Sequence, residues 1–177
     1  MLRRSCPVWN PRGVGTAPCH DGSNESSRAA VLVKQLRHVS ELLIDLVGSI
    51  EPDRWMHVPR SGVWSPGKDA EHVADGAAYH QWLVRRSLGQ RVPASPRIER
   101  LQLTAQRSKP DVIDLLRQRT NDSVALIAGL SDEQLDLPAR PPRVQAPTLA
   151  AMIEKVLIGH YAVHRAAIEA KLRVPLG

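Results

Sequence analysis

The sequence predicts an all-α chain folded as a four-helix bundle with one long crossover connection. Four stretches repeat apolar residues at spacings of three and four, which lines one face of a helix. Three of the four open at a Ser or Thr suited to capping a helix start: Ser65, Ser108 and Thr148. No stretch alternates apolar and polar residues at period two between turn signals, so no sheet is expected.

Residues 1–25 hold Pro7, Pro11 and Pro18 and lack apolar periodicity, so they read as an irregular tail. The bundle domain is expected over 26–177. Its first helix, about 26–47, carries Leu32, Leu36, Val39, Leu43, Leu46 and Ile50 on one face, and Gly48 and Pro52 stop it. The second runs from cap Ser65 to about residue 88, with Pro66 at the first helical position, where its missing N–H costs nothing. Ala70, Val73, Ala77 and Val84 mark its course.

The third helix opens at Ser108-Lys109-Pro110-Asp111, a capping box with Asp111 in place of Glu, and buries Ile113, Leu116, Thr120, Val124 and Ile127. One further short turn is expected at residues 131–134. The fourth runs from Thr148 to about residue 172, with Leu149, Met152, Val156, His160, Val163 and Ala167 on one face. Apolar stripes on four helices are hidden only against one another. The 89–109 connection is long for an antiparallel hairpin, so it is expected to cross the bundle and join helices that are not neighbours.

With 177 residues, one domain is expected. Aromatics are few and Phe is absent, so the core rests on Leu, Val, Ile and Ala. The net charge is +6, and much of the excess lies between residues 85 and 109, where seven cations face Glu99 alone. That stretch has no aromatic interleaving for base stacking and reads as a solvated basic loop, which argues against nucleic acid as partner. Cys6 and Cys19 are too few for a zinc finger or a disulfide scaffold. They read as reduced thiols of a cytoplasmic protein, and no apolar run is long enough for a signal peptide or membrane span.

Seven histidines are present. His20 falls in the tail, His38 beside the first helix's stripe and His57 in a loop. His160 and His164, four apart on one helix, lie about 40° apart around its axis, so both imidazoles can reach one ion. That spacing alone also occurs on helix surfaces and in ordinary cores. His72, two turns into the second helix, supplies a third imidazole, and Gly76 one turn on leaves space beside it or allows close helix packing. Three neutral imidazoles with an open fourth position describe a catalytic type of metal site. Zinc suits it, and nickel, cobalt or iron would be accepted. Tyr79 continues that face as a pocket residue, and Asp75 is a candidate partner for a ligand histidine or else simply solvated. Glu71, Asp75 and Tyr79 are general-base candidates by proximity only. His80, about 80° round from His72 and about 12 Å along the axis, is expected to be a packing or surface residue.

Trp64-Ser65-Pro66-Gly67-Lys68-Asp69-Ala70-Glu71-His72-Val73 resembles the start of the second helix in the DinB/YfiT-like superfamily, where a Trp-Ser pair precedes a metal-binding His. Thr148-Leu149, followed by His160-Tyr161-Ala162-Val163-His164-Arg165, resembles its last helix. The likeness covers about residues 26–172. It implies a four-helix bundle with a three-histidine site for zinc or nickel, a homodimer, and kinship with thiol-dependent enzymes such as mycothiol-dependent maleylpyruvate isomerase and bacillithiol S-transferase relatives. Where that family often has Arg-Gly-Gln after the second histidine of the pair, this chain has Arg165-Ala166-Ala167, so chemistry that depends on the Gln is not carried over.

Two functions follow as expectations. One is a metal-dependent enzyme that uses a low-molecular-weight thiol, such as mycothiol, in S-transfer or isomerisation, or that hydrolyses a small substrate. The Arg-rich, Lys-poor composition is compatible with a high-GC bacterium, in which mycothiol would be the expected thiol, and Arg85 and Arg86 are candidates to hold carboxylates. The alternative is a non-catalytic, stress-related binding protein whose metal is structural or vestigial.

Overall fold

The computed structural model describes residues 27–60, 62–98, 100–140 and 146–175. The tail with Cys6, Cys19 and His20, and Pro141 and Pro142, lie outside the described residues. Among those described, the chain is all-α, with no strand.

Helix α1 spans Arg28–Ser49, capped by the Ser27 hydroxyl, which accepts from the Ala30 N–H at 3.2 Å. It buries Leu32, Leu36, Leu43 and Val47, and runs through Gly48 before Pro52 redirects the chain. Pro52 also opens a short helix that the spacing did not foretell, α2 (Pro52–Trp55). The Trp55 ring lies against Gly67, where an added Cβ would come within 2.6 Å of the indole. Such an approach leaves room only for glycine.

Helix α3 (Pro66–Ser87) starts as expected, with Ser65 accepting from the Lys68 N–H at 3.1 Å. Helix α4 (Lys109–Ala128) is capped by Ser108. Its box closes differently from the sequence reading. Asp111, one methylene shorter than Glu, takes the Ser108 hydroxyl at 2.6 Å. The complete capping box belongs instead to the short α5 (Asp132–Leu135), between Ser131 and Gln134.

Helix α1 packs on α4 and on the last helical rod, and α3 packs on the same two, while α1 and α3 meet only briefly. The 89–108 connection therefore joins two helices in contact, contrary to the sequence expectation. The diagonal steps fall at 50–65 and 129–148. Sequence length misled here because a long link need not travel far: Ser65 N–H bonds Leu103 O at 2.8 Å, holding this one beside the start of α3.

The last rod is continuous but not uniform: α6 (Leu149–Met152), a π-helical segment (Ile153–Ile158), then α7 (Gly159–Leu172). The wide π turn corrects the inner face read from sequence. Over twelve residues an α-helix would leave Tyr161 about 120° round from Leu149, and absorbing one residue brings the two within about 20°. The buried series is accordingly Leu149, Ile153, Leu157, Tyr161 and Ile168, whereas Val163 stands 65% exposed. Tyr161 pins that register. Its hydroxyl meets Thr120 Oγ1 at 3.2 Å, and Thr120 meets Ser40 Oγ at 2.7 Å, a buried chain across α7, α4 and α1.

Candidate metal centre

His72 sits on the second turn of α3, while His160 and His164 take successive turns of α7. One ring nitrogen from each lies within 4.8 Å of the others, and the ring centroids are 4.6–5.0 Å apart. Ligands of a tetrahedral ion at about 2.1 Å stand roughly 3.4 Å from one another. Small side-chain rotations would bring the three nitrogens to that spacing, so the cluster could hold an ion. Two further observations fit such an occupant. The Nδ1 atoms of His72 and His160 are buried without a hydrogen-bond partner among the described residues, a costly state that a metal bond relieves. Burial also pushes His72 down to about 4 and His160 down to about 2, with neighbouring imidazoles adding to both effects. Both are thus neutral at pH 7, the form that ligates.

Gly76 makes the cluster sterically possible. An added Cβ there would lie 2.6 Å from His160 Cε1, so the space it leaves beside His72 holds the His160 ring. The third imidazole is aimed by a carboxylate that the sequence reading did not single out. Asp69 Oδ1 is 2.8 Å from His164 Nδ1, which leaves His164 Nε2 to face its neighbours. Lys171 holds the other oxygen of Asp69. Asp69 lies three residues before His72, one helical turn away on the same side of α3, and that spacing was the available signal.

Asp75, the expected partner, lies elsewhere, 3.1 Å from Arg107. Glu71 is also engaged, by the buried Lys68 ammonium at 3.1 Å and by Arg107 at 3.1 Å, and it accepts the Gln106 N–H. All three α3 carboxylates near the cluster are thereby paired with cations. The Tyr79 ring stacks on Trp82 at 5.8 Å and contacts His80. Arg86 lies over the Trp82 ring at 5.1 Å, on the outer side.

His80 is buried, as a packing residue would be, and its ring stands perpendicular to His160 at 4.9 Å. Burial lowers it to about 4, and its Nδ1 has no partner among the described residues. The eight-residue spacing concealed this neighbour, because the second helix brings the contact. Trp64 covers the cluster from the other side, 4.8 Å from His72 and stacked within 18° of His164 at 6.3 Å. The Trp-Ser pair thus does two jobs: Ser65 starts the helix and Trp64 walls the site.

No curated protein and no solved structure matches the chain. The family model of the DinB superfamily matches residues 35–168, a span that holds α3, the three histidines and Asp69. This chain belongs to the DinB superfamily.

Proposed function

We propose that this chain is a metal-dependent enzyme that holds one divalent ion, zinc or nickel, through His72, His160 and His164, and that it uses a low-molecular-weight thiol such as mycothiol in S-transfer or isomerisation, or hydrolyses a small substrate. The observation that carries this reading is the convergence of three imidazoles within 4.8 Å, two of them with orphaned buried nitrogens. Three protein ligands leave a fourth position for a ligand from solution. A divalent ion there supplies Lewis acidity, which lowers the pKa of a bound thiol or water. The protein's part is to orient and to exclude water. Asp69 fixes the His164 ring, Gly76 admits His160, and Trp64 shields one flank. Family resemblance adds a homodimer, and a cytoplasmic setting suits a thiol co-substrate.

The test is metal content of untagged protein. Wild type should carry about one equivalent of zinc or nickel, His160→Ala should lose it, and Asp69→Asn should weaken uptake roughly ten- to hundredfold. Loaded protein is then screened with thiols and electrophiles. Failure of wild type to take up metal after reconstitution would leave the non-catalytic binding protein as the better reading.

A further inference from the structure

Helix α3 holds the His160 ring from two sides. His72, Gly76 and His80 follow one another at four-residue steps along that helix. The His160 ring lies against Gly76, with its centre 5.0 Å from the His72 ring and 4.9 Å from the His80 ring. His72 belongs to the three-histidine cluster, whereas His80 stands outside it. His80 is nonetheless buried, and its Nδ1 has no hydrogen-bond partner among the described residues.

A ligand imidazole gives one nitrogen to the ion and carries a proton on the other, which then needs an acceptor. For His164 that acceptor is Asp69, at 2.8 Å. The carboxylates of α3 give His160 no equivalent: Asp69 is taken by His164 and Lys171, Glu71 by Lys68 and Asp75 by Arg107. His80 is the polar group that α3 places beside it. An N–H···N bond of about 3 Å sets two imidazole centres about 5 Å apart, which is the separation found. The two rings stand at 90° to each other, so a turn of the His80 ring is what brings the nitrogens into line. Ion and His80 together then satisfy both nitrogens of His160, and the stranded Nδ1 of His80 as well.

We propose that His80 is a positioning residue of the metal centre: its Nδ1 accepts the N–H of metal-bound His160 and fixes that ring against Gly76. The inference rests on the metal reading and adds to it a residue that makes no bond to the ion. It also sets a tautomer, because His80 must then carry its own proton on Nε2.

The experiment uses the full chain, labelled with nitrogen-15 at histidine and loaded with zinc, at a pH above the histidine range. Long-range proton–nitrogen correlation reads which nitrogen of each ring is bare, protonated or metal-bound. His80 should be protonated at Nε2 and bare at Nδ1. His80→Leu, which cannot accept a hydrogen bond, should weaken zinc binding about tenfold or more, while the metal-free variant unfolds at no lower a temperature than wild type. His80→Gln, whose carbonyl can accept, should regain part of the loss. A proton on His80 Nδ1, zinc held as tightly by His80→Leu as by wild type, or equal losses in His80→Leu and His80→Gln would overturn this inference alone. Should His80→Leu fail to fold, the wild-type tautomer and the affinity of His80→Gln decide. No zinc uptake by wild type would overturn the metal reading, and this inference with it.

Discussion

Helix α3 and the last rod each bring histidines to one place, but by different means. In α3 the sequence spacing and the structure agree: cap, first proline, His72 and Gly76 fall where a regular helix puts them. In the last rod the π segment shifts the face by one residue, burying Tyr161 in place of Val163. A regular helix displays its register in its sequence. A helix with one absorbed residue hides it, because both flanks still look α-helical.

Gly76→Ala attacks the α3 side of this comparison, with the largest expected effect. The new methyl group collides with a ring that can swing away, so folding should suffer modestly, by about 1–3 kcal/mol. The metal should suffer far more, because His160 leaves the cluster. Uptake should fall at least a hundredfold while the helical circular dichroism persists. Normal metal affinity in this variant would show that the close approach of α3 and α7 is dispensable.

Acid should probe both helices together in metal-free protein. His72, His80 and His160 all have folded values below the ordinary 6.5, so the unfolded chain binds more protons than the native one below that pH. Their contribution to stability is full above about 6.5 and declines as pH falls. For His72 and His80 the decline ends near 4, and for His160 near 2. The slope is roughly 1.4 kcal/mol per pH unit for each histidine within its window. Thermal unfolding across pH 4 to 7 measures it, and a flat profile would contradict the burial of these rings.

The smallest effect is expected in the last rod. Deleting Lys155, exposed within the π segment, should convert that turn to ordinary α-helix and leave both flanks in register. Metal uptake should stay within about threefold of wild type, since His160 and His164 keep their direction. Loss of uptake would mean that the wide turn itself, rather than the register it sets, places the histidine pair.

Much of the fold was legible in the sequence because it rests on local physics. Ser65, Ser108 and Thr148 cap helices as their side chains dictate, and most of the α1 and α4 stripes are buried, with Val39, Leu46 and Ile113 only partly so and Val112 taking the inner place beside Ile113. The three histidines were legible for the same reason. Asp69 was not singled out, and His80 was read only as a packing or surface residue, because their contacts depend on partners 80 or more residues away. The direct path of the 89–108 link escaped because only the Leu103–Ser65 bond fixes its course.

Trp64 gives the molecule an optical reporter of its own. Its indole lies 4.8 Å from one candidate ligand ring and stacks on another. Nickel or cobalt captured there would sit close enough to quench its fluorescence, whereas zinc, with its filled d shell, would leave the emission largely intact. Among the described residues the other two indoles lie elsewhere: Trp55 on Gly67 and Trp82 on Tyr79. One emission titration, without label or chelator dye, would therefore separate a quenching ion such as nickel or cobalt from zinc and give the affinity of the quenching ion.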